Sequence, residues 1–526
     1  MGHLQNFISG RRVDPSSPPP RLLKFRSSKI FILSTICVAV FTDIFLYGII
    51  VPVVPFSLTK RAGVHESSVQ SWVSVLLAVY GAALLIGSPI SGWYADHSTS
   101  RRLPLLIGLV AMVGSTVMLC LAKSVALLIV GRIFGGLSAA IVWTVGLALL
   151  VDTVGQAEIG EILGYVSLSM TLGILVAPLL GGIVYEKAGY YAVFYMAFGL
   201  LVLDILLRLV LIEKKMARQW LDDEVPTSAG SSDLSISPNR NEDAVVADAD
   251  ARNKNVTNKD EEKVAQSNPL GTTEAAPTSL QQISKWPAMF TLLRSRRLCA
   301  GLWGCVVQAS LMSSFDAIIP LFVQKTFHWD SVGAGLVFLA LMIPNFAAPV
   351  VGWACDRYGP RWPCVGGFCF AIPFWILLRL VTYNSLHQKV LLCALLALIG
   401  VSLTCVIPGL MAEITYIVEA KEKQIPGRFG KNGAYAQAYG LFVTAFAAGT
   451  LIGPIWAGYV RDSAGWGTMS LSLGLFSLTG AVPCLIWTGG LITDANAKTA
   501  EERAVKPQLT TTNDPLATKM SAENIV

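Results

Sequence analysis

Among the ionisable residues inside long apolar stretches of the chain, four decide most directly what chemistry those stretches can host: Asp43 in the first, Arg132 in the fourth, Asp316 in the seventh and Glu413 in the tenth. A carboxylate far from water gains or loses a proton according to its surroundings, because burial favours the neutral acid and a nearby cation favours the anion. Asp43 stands fourteen residues beyond Lys29, roughly 20 Å along a helix, and aspartate is too short to reach back to water. Arginine inside a hydrocarbon layer costs at least about 2.5 kcal/mol unless it is paired or wetted. Arg132 therefore needs a partner or a cavity, and Asp43 is the expected partner; together they would make a proton switch. Asp316 ends the densest polar patch of any stretch, Gln308-x-Ser310-x-x-Ser313-Ser314-Phe315-Asp316, with Pro320 one turn on. Glu413 lies near a stretch boundary, where it either pairs with a cation or serves as a second titrating group. The alternative for the two aspartates is a structural bond to neighbouring hydroxyls. For Arg132, nine residues from Lys123, it is snorkelling to the water boundary.

The elements that must position these groups are membrane helices. At 526 residues, 53% hydrophobic and 14% charged, the chain is far more apolar than a soluble core of this size needs. Runs of about 20 apolar residues or more, each enough to cross about 30 Å of hydrocarbon, fall near 30–56, 71–93, 103–122, 125–151, 162–186 and 190–212. Six more fall near 298–324, 332–355, 363–382, 388–418, 433–460 and 468–492. Between the sets, Ser, Asn, Asp, Glu and Pro dominate and nothing can bury a core. The chain is thus expected to comprise a tail (1–29), a six-helix bundle (30–212), a disordered linker (213–293), a second six-helix bundle (294–492) and a tail (493–526). The fold class is an all-α membrane protein of twelve transmembrane helices in two pseudo-symmetric bundles.

The net charge of +6 does not imply nucleic acid, because Lys and Arg gather in alternate loops instead of forming one stripe. Both tails, the linker and the loops holding Arg101, Arg102, Arg357, Arg361, Lys421, Lys423, Arg428 and Lys431 fall on one side, expected to be the cytoplasm. The sequon Asn255-Val-Thr257 lies on that side and should carry no glycan. Ten cysteines without a C-x-x-C read as packing residues, and five histidines, all in tails or loops, offer no metal site. No G-x-x-x-x-G-K-[ST] phosphate cradle appears, so ATP is not the direct energy source. No catalytic constellation emerges and no cofactor is implied; an enzyme is the least favoured class.

The two halves repeat each other. Gly92-Trp-Tyr-Ala-Asp96 followed by Arg101-Arg102 is matched by Gly352-Trp-Ala-Cys-Asp356-Arg357-Tyr-Gly359-Pro-Arg361. Glycine permits close helix approach, and an aspartate there can face the positive end of a neighbouring helix. Gly92, Asp96, Arg101, Gly352, Asp356, Arg357 and Arg361 are therefore the expected conformational latch. The fifth run carries Gly173-x-x-x-Ala177-Pro178-x-x-Gly181-Gly182 and the eleventh Gly449-x-x-x-Gly453-Pro454-x-x-Ala457-Gly458, small-residue faces with a helix-bending proline. Gly173, Pro178, Gly182, Gly449, Gly453 and Pro454 are the expected packing residues.

These motifs resemble the major facilitator superfamily. The loop pattern is similar to the one after its second and eighth helices, Gly131-Arg132-Ile-Phe-Gly135-Gly136 to its helix 4 motif, and the fifth run to its antiporter signature, with Ala177 for the usual glycine. Asp43-x-x-x-Tyr47-Gly48-x-x-x-Pro52-x-x-Pro55 with Asp316 resembles the twelve-span drug:proton antiporter and vesicular amine transporter branch, and the long linker looks like fungal members. The resemblance implies alternating access by two rocking bundles and proton-coupled efflux of a small apolar organic compound such as a drug, toxin or secondary metabolite. The implied energy source is the proton gradient. Asp43, Arg132, Asp316 and Glu413 are the proton-coupling candidates. Tyr47, Trp143, Gln308, Ser313, Asn345, Tyr435 and Tyr439 are candidates to line the cavity, with helix–helix hydrogen bonding as the alternative. Proton-coupled uptake is the alternative within the fold, and a transport-inactive sensor or scaffold the alternative outside it. The expected partners are substrate, protons and the lipid bilayer, around a monomer. The plasma membrane is the expected site, with vacuolar or vesicle membranes the other options.

Overall fold

The computed structural model describes residues 20–50, 58–59, 61–98, 100–155, 158–221, 288–329, 331–429 and 433–490. Among these there is no strand, as expected of a chain whose backbone must satisfy its own hydrogen bonds in hydrocarbon. The first half comprises α1 (Lys29–Ile50), α2 (Glu66–His97), α3 (Arg102–Leu121), α4 (Val125–Val154), α5 (Ile159–Ala188) and α6 (Tyr190–Val210). The second comprises α7 (Arg296–Phe327), then α8, which runs from Ser331–Met342 through a 3-10 turn at Ile343–Ala347 into Ala348–Tyr358, then α9 (Arg361–Leu377) and α10 (Leu386–Gln424). A last helical stretch, Tyr435–Trp487, is broken at Gly465 and is taken as α11 (435–464) and α12 (466–487). Eleven helical stretches among the described residues are long and apolar enough to cross a membrane, the last of them 53 residues. At 1.5 Å per residue that last stretch is about 80 Å, more than twice a hydrocarbon layer, so the count is compatible with twelve crossings.

Local chemistry repeats along with topology. Ser124 and Ser385 cap α4 and α10, each side chain accepting a backbone N–H one turn in, from Leu127 and Gln388. Gly189, between α5 and α6, and Gly465, between α11 and α12, take left-handed φ values of 83° and 84°, a conformation that suits glycine. The first residue of α3, Arg102, donates to the Leu209 carbonyl at the end of α6, and the first residue of α9, Arg361, donates to the Thr488 carbonyl at 2.6 Å and to that of Gly490 past the end of α12.

The interval 213–293, expected to be a disordered linker, is helical at both ends, Lys214–Leu221 and Ala288–Leu293. The first of these is amphipathic and buries Met216, Ala217 and Trp220 against Leu23 and Ile212, which a polar average over the whole interval conceals. Residues 222–287, with the Asn255 sequon, lie outside the described residues, as do most of the two tails.

The halves meet chiefly where α2 packs on α11 and α5 on α8, with α4 against α11 and α5 against α10 beside them. Within the halves, α1 packs on α5 and α7 on α11. A Cβ on Gly48 would come 2.7 Å from that of Ala177, and one on Gly173 would come 2.8 Å from Ile44. Gly449 and Gly453 lie equally close to α7, against the Val306 and Ser310 carbonyls. Pro178 and Pro454 lie within their helices. Gly182 departs from its expected packing role: no described residue lies within 4 Å of where its Cβ would be, whereas a Cβ on Gly181 would come 2.9 Å from the Ile49 carbonyl oxygen.

Candidate functional site

At one end of the molecule, hereafter the latch face, two aspartates cross from one half to the other. Asp96, at the end of α2, accepts the backbone N–H groups of Ala436 at 3.2 Å and Gln437 at 2.9 Å, in the first turn of α11. Asp356, at the end of α8, accepts those of Gly160 at 2.7 Å and Glu161 at 2.9 Å, in the first turn of α5. In both cases the carboxylate satisfies the second and third amides of the partner helix, orphan donors at its positive end. The glycine one turn before each aspartate makes this approach possible. A Cβ on Gly92 would lie 2.5 Å from the Ala436 carbonyl, and one on Gly352 would overlap that of Gly160. One turn deeper, Gly440 meets the Ser88 carbonyl and Gly164 that of Ala348. The latch face is closed backbone to backbone.

The two aspartates differ in their further partners. Arg101 donates to Asp96 at 2.8 Å and to Asp152, near the end of α4, at 3.0 Å. Asp356 has the Tyr416 hydroxyl, 2.8 Å away on α10. Two arginines expected in the latch are elsewhere. Arg357 is exposed, its guanidinium 5.5 Å from the Trp353 ring, because its place on α8 turns it away from the other half. Arg361 ties α9 to the end of α12. Sequence reasoning missed Gly160, Gly164, Gly440, Asp152 and Tyr416. Gly160-x-x-x-Gly164 is a readable small-residue spacing, whereas the partners of Asp152 and Tyr416 are set by tertiary contact alone.

Within the first half, Asp43 is 4% exposed. Its carboxylate accepts one hydrogen bond, from the Trp143 indole N–H on α4 at 3.1 Å, and makes no ion pair among the described residues. Arg132 lines the same small cavity, about 30 Å³, with Tyr47, Tyr80 and Met112 among its walls. Arg132 is not the ion-pair partner of Asp43. Its guanidinium sits 5.6 Å from the Tyr47 ring and 6.0 Å from the Tyr80 ring, and its Nε is buried without a hydrogen-bond partner among the described residues. The two tyrosine rings, 4.8 Å apart, offer their electron-rich faces in place of the anion. This cavity holds about one or two water-sized volumes, so a larger ligand requires the helices to part.

Two other intramembrane acids are paired. Asp204, 0% exposed, is held by Arg208 through bonds of 2.6 and 2.8 Å. Glu413, also 0% exposed, is gripped by both Nε and Nη2 of Arg297 and accepts the Gly489 N–H at 2.8 Å. Of its two readings the structure shows the cation pair. Asp316 lies in α7, but its side chain falls outside what is described.

The remaining cavity candidates divide. Tyr47 lines the cavity that Asp43 and Arg132 share, and Trp143 bonds to Asp43. Gln308 donates to the Leu403 carbonyl at 3.1 Å, Ser313 lies against Gly453, and Asn345 accepts from Thr404 at 2.6 Å; these are bonds and contacts between helices. Tyr435 and Tyr439 begin α11 and so stand at the latch face. Tyr439 is fully buried between the Thr415 hydroxyl and the Met411 carbonyl.

A family model described as Major Facilitator Superfamily matches residues 36–425 and 346–519. The chain belongs to the major facilitator superfamily. An uncharacterised MFS-type transporter of Schizosaccharomyces pombe, C18.02, is 35% identical over 466 residues, covering 88% of this chain and 96% of that one. The human vesicular acetylcholine transporter is 23% identical over 523 residues, covering 90% of this chain and 85% of its own. Among solved structures, the human organic anion transporter MFSD10 (TETRAN) shares the fold with a TM-score of 0.59 at 13% identity, covering 87% of this chain and 99% of that one. As a member of the superfamily the protein is a multi-pass membrane transporter and not an enzyme.

Proposed function

We propose that this transporter exports a small, largely apolar organic compound in exchange for protons entering through Asp43. The observation that carries the reading is the isolation of that carboxylate. Asp204 and Glu413 are locked to arginines, so protonating either would break a buried ion pair. Asp43 has one neutral donor, so it can take up or release a proton without that loss. A second protonation at Asp316 remains part of the proposal.

The cavity beside Asp43 supports the substrate class. Leu46, Met112 and Leu119 give it apolar walls, Tyr47 and Tyr80 aromatic ones, and the unpartnered Arg132 Nε is a donor for one acceptor atom of the ligand. The small-residue face of α5 around Ala177 and Pro178, packed on α1, supports antiport by its similarity to the antiporter signature. We read the latch face as cytoplasmic from the excess of Lys and Arg on that side. The plasma membrane is our proposed location. The test is transport into proteoliposomes against a panel of apolar compounds, with and without an imposed pH gradient. Transport that ignores the gradient sinks proton coupling, and a panel in which only charged or strongly polar solutes move sinks the substrate class.

A further inference from the structure

Outside the transport path, on the latch face, α7 and α12 leave a groove of about 440 Å³ between them. Arg294 and Arg296 stand at its mouth, at the boundary where the α7 span begins, while Trp303, Pro483 and Trp487 wall the part that descends along the span. Three arginines are close in sequence here and their roles separate. Arg297 turns inward to Glu413. Arg294 and Arg296 are exposed and make no ion pair among the described residues. The Trp303 indole is fixed by a 3.0 Å bond from its N–H to the Thr479 carbonyl, yet 42% of the residue is exposed, so it presents a rigid apolar wall outward.

The geometry points to a binding site for an anionic phospholipid of the leaflet on the latch face. Its phosphate would lie between Arg294 and Arg296, with the upper part of an acyl chain against Trp303, Pro483 and Trp487. Charge complementarity and depth select this occupant together. A soluble anion would pair with the arginines and leave the apolar wall unfilled; a zwitterionic lipid would fill the wall but bring its own cation with the phosphate, leaving the charge of the two arginines less well balanced. Basic pockets between spanning helices recognise headgroups in this way. Lipid bound here would hold the end of α12 against the start of α7, beside the Glu413–Arg297 pair that also accepts from Gly489. The site is independent of the direction of transport and of the identity of the substrate.

The test is native mass spectrometry of the full-length protein in detergent with dioleoylphosphatidylserine or dioleoylphosphatidylcholine. Each arginine near the headgroup contributes about fivefold, so the anionic lipid should be retained about 25-fold more tightly. Arg294→Gln with Arg296→Gln should abolish the preference, while Arg218→Gln, a charge removed from the exposed face of the Lys214–Leu221 helix, should leave it unchanged. Trp303→Ala should weaken retention of both lipids. Soluble glycerophosphoserine at the same concentration should not displace the bound lipid. Equal retention of the two lipids, a preference that survives in the double variant, or displacement by the soluble headgroup would each overturn the site as drawn.

Discussion

Gly352 and Gly160 lie on opposite halves of the transporter, so close that a side chain on Gly352 would overlap the Gly160 carbonyl. The closed latch face therefore depends on the absence of two side chains. Gly352→Leu should hold that face open, reducing transport at least about tenfold by removing the closed state from the cycle. A cysteine placed at the start of α5 should become more reactive to a water-soluble maleimide in this variant; unchanged labelling would contradict the idea.

Asp356→Asn should have a milder effect of the same kind. An anion at a helix N-terminus contributes at most about 2 kcal/mol, and the amide presents a donor where one of two backbone N–H groups needs an acceptor. A loss of roughly tenfold in transport at unchanged abundance is expected, and Tyr416→Phe should lie between this variant and wild type. Equal rates in all three would remove Asp356 from the latch.

Arg101 joins Asp96 to Asp152, and breaking either end should give a shared defect. Arg101→Gln and Asp152→Asn are expected to impair transport singly, with the double variant no worse than the more impaired single one. Additive losses in a double-mutant cycle would show that the three residues do not act as a unit.

Asp43→Asn should abolish uphill transport while downhill exchange survives, because the amide keeps size and hydrogen-bonding capacity but cannot carry a proton. Arg132→Lys should act differently. Without an ion pair between them, Arg132 is expected to change the apparent KM for substrate more than the response to a pH gradient. If Asp43→Asn still accumulates substrate when the gradient is imposed, the proton enters elsewhere, with Asp316 the next candidate.

Removing Arg297 should cost stability first. Glu413 is fully buried, and deleting one partner of a buried pair costs on the order of 3 kcal/mol by leaving the other charge unmatched. Arg297→Gln should lower the melting temperature in detergent and the abundance in cells, and adding Glu413→Gln should restore part of both. A double variant less stable than the single one would argue against the pair as the cause.

The helices and their halves were legible in the sequence because membrane spans announce themselves by length and apolarity, and the glycine–aspartate repeat by its spacing. That spacing pointed to helix ends because a carboxylate following a close-approach glycine has few other donors to meet in hydrocarbon. Pairing was not legible. Asp43 and Arg132 share a cavity without bonding, since Trp143 and two tyrosine rings take the places that opposite charge suggested. Gln308 and Asn345 could be listed as polar but not oriented, because which face of a helix meets its neighbour is decided by packing. Lys214–Leu221 escaped notice because eight residues of amphipathic helix vanish in an average over eighty-one.

Arg102 and Arg361 sew the third helix of each half to the last. Each half is thereby braced at the end where the two touch. If each half swings as one beam, separation at the latch face carries its far end the opposite way about a pivot in the membrane. Loosening either stitch would turn that reciprocal swing into independent motion of single helices, and both faces would then leak at once.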